Sequence, residues 1–411
     1  MLSENWGRFT ARGGVEVEQR LTRLVREVAE QIAAVAPPES YKAVLLIGGY
    51  GRGEGGVERR DGQELPHNNL DFLMLAQNQN AEQRAKLKQA VDARLRPIAE
   101  REGLGLDFGI VPVDTLRHSP CLVMWYDMRF GHKTILGDAS FVPSLTQFDV
   151  QYIEPADVRN LLVNRGTLFV INQMLLERAE LDEQARRTIV KHAVKGIIGY
   201  GDALLFSLGQ YHWSYQEKQR RMRASKHVPE AFRSLYDQAL EFRFSPDYAR
   251  YPGEDLRAWS ASLPSQLAPV HLRFEAFRLR DPKLSWQGYH ERALSFALWE
   301  SPSSWRAWAR KLRNLLRTPA APPASWACRL GFRVSGMRGV LPILFPMVLY
   351  DLDDAEYRAF TRRALAAPDA SQANLRRAYL RAWGEYGDIN FASVLDKLGI
   401  SLAFKEGAES Q

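Results

Sequence analysis

The fold of this chain is decided by the stretch Leu46-Ile47-Gly48-Gly49-Tyr50-Gly51-Arg52-Gly53-Glu54-Gly55-Gly56. It follows the apolar run Ala43–Ile47, which predicts a buried strand that leads into a tight glycine turn. Glycine allows the backbone to approach a ligand closely, and the exposed N–H groups of such a turn bind phosphate. Arg52 is expected to pair with phosphate oxygens. The glycine spacing fits neither the Walker loop nor the Rossmann fingerprint, so both of these common nucleotide motifs are excluded.

Acidic and amide side chains follow this turn at the starts of two further strands. Asn69 and Asp71 stand at alternate positions where the run Phe72–Leu75 begins, so they are predicted to share one side of a sheet. Asp107 opens a third strand that continues to Val113. Carboxylate oxygens are the ligands that Mg²⁺ prefers, and residues so placed beside a phosphate-binding turn suit phosphoryl or nucleotidyl transfer.

The glycine turn, the Asx-x-Asp pair and the later strand Asp together resemble the DNA-polymerase-β-type nucleotidyltransferase superfamily. The turn is most similar to that of the bacterial nitrogen-regulatory protein uridylyltransferases. The resemblance covers about residues 43–138 and implies that Gly48 and Gly49 hold the triphosphate of an NTP such as ATP. Gly53, at the end of the same turn, is a further candidate to seat the phosphates. It also implies that Asn69, Asp71 and Asp107 ligate Mg²⁺ or Mn²⁺ and form the catalytic set.

Asn69 departs from the pattern of this superfamily, which carries Asp at the first position of the pair. An amide brings no negative charge to the metals, so three interpretations stay open. The chain is a weak or single-metal enzyme, a catalytically inactive protein that binds nucleotide, or an inactivated form of an active enzyme. The acids of the spacer are candidates to replace the missing charge, although a solvated loop is the favoured interpretation for Glu54, Glu58, Asp61 and Glu64.

The order of the predicted elements indicates an α+β protein. Residues 1–150 are predicted to form a small mixed-sheet nucleotidyltransferase domain, in which helices over 15–36 and 81–102 flank the strands. Residues 151–318 are predicted to form a helical bundle, with helices over 155–178, 182–210, 214–223, 228–242, 286–299 and 302–317. The proline-rich break Pro319–Ala324 separates this bundle from a mostly helical extension over 325–411.

Lys195 is the candidate basic residue of the predicted bundle. The resemblance implies that a lysine of such a helix reaches the cleft and neutralises the triphosphate. Lys191, Lys195 and Asp202 share one helical face, and the neighbouring Gly196 and Gly199 are expected to let another backbone pack beside Lys195. Asp202 and Arg165 are further candidates in the same region.

Two basic segments favour anionic partners. The chain has a net charge of +7 and a sequence pI near 9.3. Gln216–Arg223 is a dense basic run, and Trp305–Arg317 interleaves basic residues with Trp and Leu, a pattern that suits nucleic acid or a membrane surface. The alternative for both segments is a charged outer helix face.

The composition excludes several classes of protein. Two cysteines, Cys121 and Cys328, support neither a disulfide framework nor a cysteine zinc site. The N-terminus does not resemble a signal peptide. The apolar run Val340–Tyr350 contains two prolines and is too short to span a bilayer, so no transmembrane helix and a cytoplasmic location are predicted.

The leading functional prediction is a nucleotidyltransferase that moves a nucleoside monophosphate from a metal-bound NTP to a hydroxyl of a protein, an RNA end or a small molecule. The alternatives are a catalytically inactive nucleotide-binding regulatory protein of the same fold and a nucleic-acid-binding protein that uses its basic helices.

Overall fold

A computed structural model describes residues 6–253, 255–300, 305–388 and 391–404. The protein is α+β, as predicted: about 61% of it is helical, and a small four-stranded mixed sheet lies near the N-terminus. A mostly helical region follows this sheet.

The described residues include six strands, which form two sheets. The strands are β1 (Tyr41–Ile47), β2 (Val57–Arg60), β3 (Gln63–Pro66), β4 (Leu70–Ala76), β5 (Leu106–Pro112) and β6 (Lys133–Gly137). The main sheet has the order β5-β4-β1-β6, and β2 and β3 form a separate antiparallel pair. β1 runs antiparallel to both β4 and β6, whereas β4 and β5 are parallel. β6 therefore forms one edge of the main sheet, and β5 forms the other.

The parallel pairing of β4 and β5 depends on the helix between them, because parallel strands need a crossover connection. This helix, α3, spans Ala81–Glu102, the bounds that the sequence predicts. Asn80 and Gln83 form a capping box at its start, and Gly103 ends it in the left-handed conformation with φ 61°. The crossover returns the chain so that Asp71 of β4 lies in register with Asp107 of β5.

Further helices of the N-terminal region pack around the sheet. They are α1 (Val15–Ala33), α2 (Gly48–Gly51), α4 (Val113–Arg117) and α5 (Val123–Phe130). The core joins the apolar faces of α1 and α3 to side chains of β1 and β4, with Leu21, Val28, Leu46, Met74 and Val91 among its fully buried members. Leu45 and Leu75, which alternate with these strand residues, are also fully buried. Both faces of the central strands are therefore covered, and these strands read as continuous apolar runs.

Twelve helices complete the described chain. They are α6 (Pro155–Leu176), α7 (Glu183–Ser207), α8 (Tyr215–Ala224), α9 (Glu230–Phe244), α10 (Leu256–Arg278), α11 (Tyr289–Trp299), α12 (Trp305–Arg317), α13 (Trp326–Tyr350), α14 (Ala355–Ala364), α15 (Gln372–Ala382), a π-helical turn (Trp383–Gly387) and α16 (Phe391–Lys397). Contacts divide the chain into two compact units: residues 1–158 with 208–251, and residues 159–207 with 252–411. Helices α8 and α9 thus belong to the unit that contains the sheet.

Two long helices carry internal prolines that obscure them in the sequence. α10 contains Pro264 and Pro269, and α13 contains Pro342 and Pro346. Among the described residues, α13 is long and apolar enough to cross a membrane, and 72% of its apolar window is buried inside the protein. A core helix that is mostly buried in its own protein has the same length and composition.

Candidate functional site

The glycine turn, Asp71 and Asp107 meet at one end of the main sheet. β1 ends at Ile47, which pairs with Asp71 near the start of β4, and Asp71 is in register with Asp107. Paired positions of neighbouring strands project to the same face, so the two carboxylates share one side of the sheet. The structure therefore brings together the strand-end positions that the sequence singles out.

Gly48 is the residue at which the turn approaches the first carboxylate. Its φ is +69°, a conformation that L side chains rarely adopt. A Cβ atom added here would lie 2.6 Å from Oδ2 of Asp71. Residues Gly48–Gly51 then form the single helical turn α2, and the first N–H groups of a helix have no acceptor within that helix. Glycine at position 48 thus sets both the turn and the position of Asp71 against it.

Asn69 contacts the acid of the neighbouring strand. Its side-chain amide donates a hydrogen bond from Nδ2 to Oδ2 of Asp107 at 2.9 Å. The side chain of Asn69 also fills the space beside Gly105, where an added Cβ would lie 2.6 Å from its Cγ. Both Asn69 and Asp107 are exposed. An acid at position 69 could not make this donation, because an ionised carboxylate is an acceptor only.

Two carboxylates and an amide are hard oxygen donors of the kind that Mg²⁺ or Mn²⁺ accepts. In the described part of the chain, no group of three or more His, Cys, Asp or Glu residues is placed to hold a metal ion. The fit to a divalent cation therefore depends on Asp71 and Asp107, with Oδ1 of Asn69 as a neutral third donor. This set carries one negative charge fewer than three acids would.

Arg52, predicted to contact phosphate, lies in a different environment. Its Nη2 donates to Oδ2 of Asp127 at 2.6 Å, and the two side chains are only 8% and 13% exposed. The guanidinium also lies over the ring of Tyr215, 4.7 Å from its centroid. Burial acts to lower the pKa of Arg52, but the Asp127 carboxylate, Tyr215 and Tyr211 together outweigh it and raise that pKa above its ordinary value. These contacts join α5 to the turn and do not favour a phosphate role for Arg52.

Gly53 also has a packing role. With φ +77°, an added Cβ at this position would lie 2.8 Å from the carbonyl oxygen of Arg8. The backbone of the N-terminal segment therefore occupies the space beside Gly53. Of the turn glycines predicted to seat phosphate, Gly48 and Gly49 are the two whose neighbours include a carboxylate and a guanidinium.

Arg243 of α9 is the basic residue at the turn that sequence reasoning missed. Its Nη2 lies 3.2 Å from the position that a Cβ of Gly49 would take. The guanidinium carbon stacks over the ring of Tyr215 at 4.1 Å from the centroid. Its Nε is buried and has no hydrogen-bond partner. Arg52 has the same kind of buried, unpartnered Nε, but its Nη2 is paired with Asp127. The Nη2 of Arg243, in contrast, lies beside Gly49 at the turn.

The spacer between the turn and β4 consists of a buried, hydrogen-bonded Glu54 and the β2–β3 hairpin. Glu54, expected in a solvated loop, is buried: it accepts hydrogen bonds from Oγ of Ser214 and from the backbone N–H groups of Tyr215 and Gln216 at the start of α8. The expectation of a solvated loop is therefore wrong for Glu54, because a carboxylate stabilises the positive end of a helix dipole. Glu58 and Glu64 lie on the β2–β3 hairpin, and exposed Asp61 lies at its tip.

Tyr50 ties this spacer to β4. Its hydroxyl donates to the carbonyl oxygen of Gly56 at 2.9 Å and accepts from the backbone N–H groups of His67 and Asn68. Burial raises the pKa of Tyr50 to about 12, so the hydroxyl stays protonated. This contact fixes the backbone immediately before Asn69.

Lys195 lies on α7, in the second compact unit, and its side chain is partly buried. The neighbouring glycines pack against side chains: an added Cβ at Gly196 would lie 2.3 Å from the ring of Phe169, and one at Gly199 would lie 2.8 Å from Cβ of Arg165. The expectation that another backbone packs there is wrong, because α6 fills these gaps with side chains. The role of Lys195 on a triphosphate stays a prediction.

The basic run Gln216–Arg223 is largely engaged within the protein. Lys218 is fully buried, with its ammonium 4.4 Å from the centroid of the Tyr215 ring. Arg221 donates to the carbonyl oxygens of Gln210 and Tyr211, and Arg223 pairs with Asp237. These contacts weigh against this run as a nucleic-acid surface.

Comparison with known proteins gives no neighbour: no protein-family model, no curated protein and no solved structure matches the chain at a significant level.

Proposed function

We propose that the sheet-containing unit is a nucleotidyltransferase, which binds an NTP at the glycine turn and transfers its nucleoside monophosphate to an acceptor hydroxyl. The observation that carries the proposal is the meeting of Gly48, Asp71 and Asp107 at one end of the main sheet. A glycine turn with two carboxylates beside it serves both the phosphates and their counter-cation.

The phosphate contacts are assigned to the backbone of the turn and to Arg243. Arg243 approaches Gly49, and stacking on Tyr215 holds its guanidinium in place. A guanidinium offers several N–H donors in a fixed fork that fits phosphate oxygens. The Nη2 of Arg52, in contrast, donates to Oδ2 of Asp127.

Asp71 and Asp107 are assigned to the metal-bound triphosphate. A bound Mg²⁺ or Mn²⁺ supplies positive charge that offsets the charge of the phosphates. In the transfer, the acceptor oxygen bonds to the α-phosphorus, the bond from that phosphorus to the bridging oxygen breaks, and pyrophosphate leaves. We assign the proton of the acceptor hydroxyl to Asp107, the more exposed of the two carboxylates.

Nucleotide binding without transfer is the second candidate function, and a specific contact favours it. The amide of Asn69 donates to Oδ2 of Asp107 and competes with the cation and the acceptor proton for that oxygen. A neutral residue at this position also leaves two formal negative charges for the cation. Binding of one cation with its NTP tolerates this loss better than a two-metal transfer does.

The test is transfer of label from NTPs by the full-length protein. Each common ribonucleoside triphosphate, labelled at the α-phosphate, is incubated with the protein and Mg²⁺ or Mn²⁺ in the presence of RNA, protein and small-molecule extracts. We expect labelled product and pyrophosphate from the wild type, and loss of both in Asp71→Asn and Asp107→Asn. NTP binding without transfer, in the wild type and in Asn69→Asp alike, would establish the second candidate. Absence of NTP binding in both would refute the two together.

A further inference from the structure

Helix α12 (Trp305–Arg317) has an apolar face that is turned away from the protein. Trp305, Trp308, Leu312 and Leu316 are 73%, 62%, 60% and 76% exposed. Their spacing of three and four residues places them along one side of the helix. In a soluble protein this side of an amphipathic helix normally faces the core, so the orientation of α12 is reversed.

Polar side chains attach α12 to its neighbours. Nδ2 of Asn314 donates to the carbonyl oxygens of Val334 and Ser335, both at 3.1 Å. These carbonyls precede Gly336, where α13 departs from helical geometry with φ 64° and ψ 167°. Asn314 therefore satisfies acceptors that the interruption of α13 exposes, and this requirement orients the polar side of α12 toward the protein.

Lys311 makes a second attachment, and it lies three residues before Asn314 on the same side of α12. Its Nζ donates to the carbonyl oxygens of Ala297 at 3.0 Å and Glu300 at 2.6 Å, at the C-terminal end of α11. A lysine in this position is favourable because the C-terminal end of a helix carries partial negative charge. With Asn314 and Lys311 both fixed, rotation of α12 that would bury its apolar face breaks four hydrogen bonds.

The sequence of α12 indicates which partner covers this face. It contains five basic residues and no acidic one: Arg306, Arg310, Lys311, Arg313 and Arg317. A basic helix whose other face carries Trp and Leu is suited to the boundary between the headgroups and acyl chains of an anionic bilayer. Single-stranded nucleic acid would use the tryptophans and the charges, but Leu312 and Leu316 offer it no stacking surface.

We propose that α12 docks on the surface of a membrane that contains anionic lipids, independently of the proposed nucleotide site. The helix lies in the plane of the interface, because its 13 residues span roughly 20 Å, less than the hydrocarbon thickness of a bilayer. Trp299, 71% exposed at the end of α11, adds a further interfacial side chain close to α12 in the chain. The apolar face enters the lipid while the flanking arginines contact the headgroups.

The experiment is co-sedimentation of the full-length protein with vesicles of phosphatidylcholine, alone or mixed with phosphatidylserine. We expect the wild type to bind the mixed vesicles and to be released by salt. The double variant Trp308→Gln with Leu312→Gln should bind at least about tenfold more weakly. Its matched control is Trp326→Gln, because Trp326 is also 62% exposed but lies outside α12; this variant should bind as the wild type does.

Charge is tested separately by Arg310→Gln with Arg313→Gln, which should weaken binding to the mixed vesicles. Circular dichroism and thermal unfolding establish that each variant is folded, as expected for changes at exposed positions. Equal sedimentation of the wild type and the Trp308/Leu312 variant overturns the proposal. Failure of the wild type to bind the mixed vesicles also overturns the proposal. In that case, loss of single-stranded RNA binding or of self-association in the double variant would assign the exposed face of α12 to nucleic acid or to a second copy of the chain.

Discussion

Replacement of Arg52 by Met distinguishes a structural arginine from a phosphate-binding one at the glycine turn. Arg52 is joined to Asp127 in a pair that is 8% and 13% exposed, and Tyr211 donates a further hydrogen bond to Oδ1 of the same carboxylate at 3.0 Å. The variant keeps much of the side-chain length but removes the Arg52 guanidinium from the buried carboxylate of Asp127. We therefore expect the main effect of Arg52→Met to be a lower free energy of unfolding, with a smaller effect on the affinity for NTP.

The magnitude follows from the burial of the pair. Removal of one partner of a buried ion pair costs about 3–5 kcal/mol, since the remaining charge stays desolvated. An exposed pair is worth about 0–1 kcal/mol. Arg59, 73% exposed in its pair with Glu64, therefore offers a matched control in Arg59→Met. We expect Arg52→Met to lower the free energy of unfolding by several times more than Arg59→Met does.

The assay is hydrogen exchange of the backbone amides of β1, followed by mass spectrometry. A loss of 3–5 kcal/mol should accelerate exchange that requires unfolding by about two to four decades. Arg243→Met should change this exchange little and weaken NTP binding about 10-fold to 100-fold, because it removes charge-assisted hydrogen bonds. The opposite pattern, in which Arg52→Met retains the protection of β1 and loses NTP affinity, would refute the assignment of the two arginines.

Three further predictions concern the turn, the spacer and the second unit. Gly48→Ala should destabilise the protein by about 1–3 kcal/mol and abolish NTP binding, because it combines a positive φ with a clash against Asp71; calorimetry measures both effects, and unchanged NTP affinity would contradict it. Glu54→Gln should lower the thermal midpoint, since it removes about 1–3 kcal/mol of charged hydrogen bonding at the start of α8, whereas Glu82→Gln at a 75% exposed position should not. Burial lowers the pKa of His271 to about 4, below its unfolded value of about 6.5. The unfolded chain therefore takes up the proton first, so the free energy of unfolding should fall as the pH falls from about 6.5 to about 4. His271→Gln should flatten this part of the profile of unfolding free energy against pH.

The parts of the fold that the sequence predicts are those with a local physical signal. β1 is a continuous apolar run that ends in glycine, and α3 lies between a capping box and a left-handed glycine, so its bounds were predictable at both ends. In contrast, α10 was not predicted. Pro264 and Pro269 disguise a helix whose buried residues Leu263, Leu267 and Phe274 still recur at helical spacing.

The residues of the site also divide into those with a local sequence signal and those that are placed by packing. The positions of Asp71 and Asp107 follow from strand starts and alternation, which are local properties. Arg243 was not predicted, because it reaches Gly49 only through the packing of α9, far along the chain. The available signal was weak: Arg243 stands between two aromatic residues, Phe242 and Phe244, which are both buried, so an arginine occurs within an apolar segment of α9. The pairing of Arg52 with Asp127 is equally non-local.

The outward apolar face of α12 illustrates a third limit of prediction from the sequence. Its sequence pattern indicates an amphipathic helix, but periodicity alone does not say which side faces the protein. The interruption of α13 at Gly336 decides this, because its exposed carbonyls require the amide of Asn314. Such a requirement arises only once two helices are placed together.

Divalent-cation binding by the wild type, Asn69→Asp and Asp71→Asn tests the central claim most directly. Mn²⁺ is titrated into the protein with and without ATP, and free Mn²⁺ is followed by electron paramagnetic resonance. Asn69→Asp replaces the amide that donates to Asp107 with a third carboxylate, so Mn²⁺ affinity should rise by about tenfold or more, and Asp71→Asn should lower it. Affinity that is the same in all three proteins would contradict the account, because the strand-end carboxylates would then not form a cation and nucleotide site.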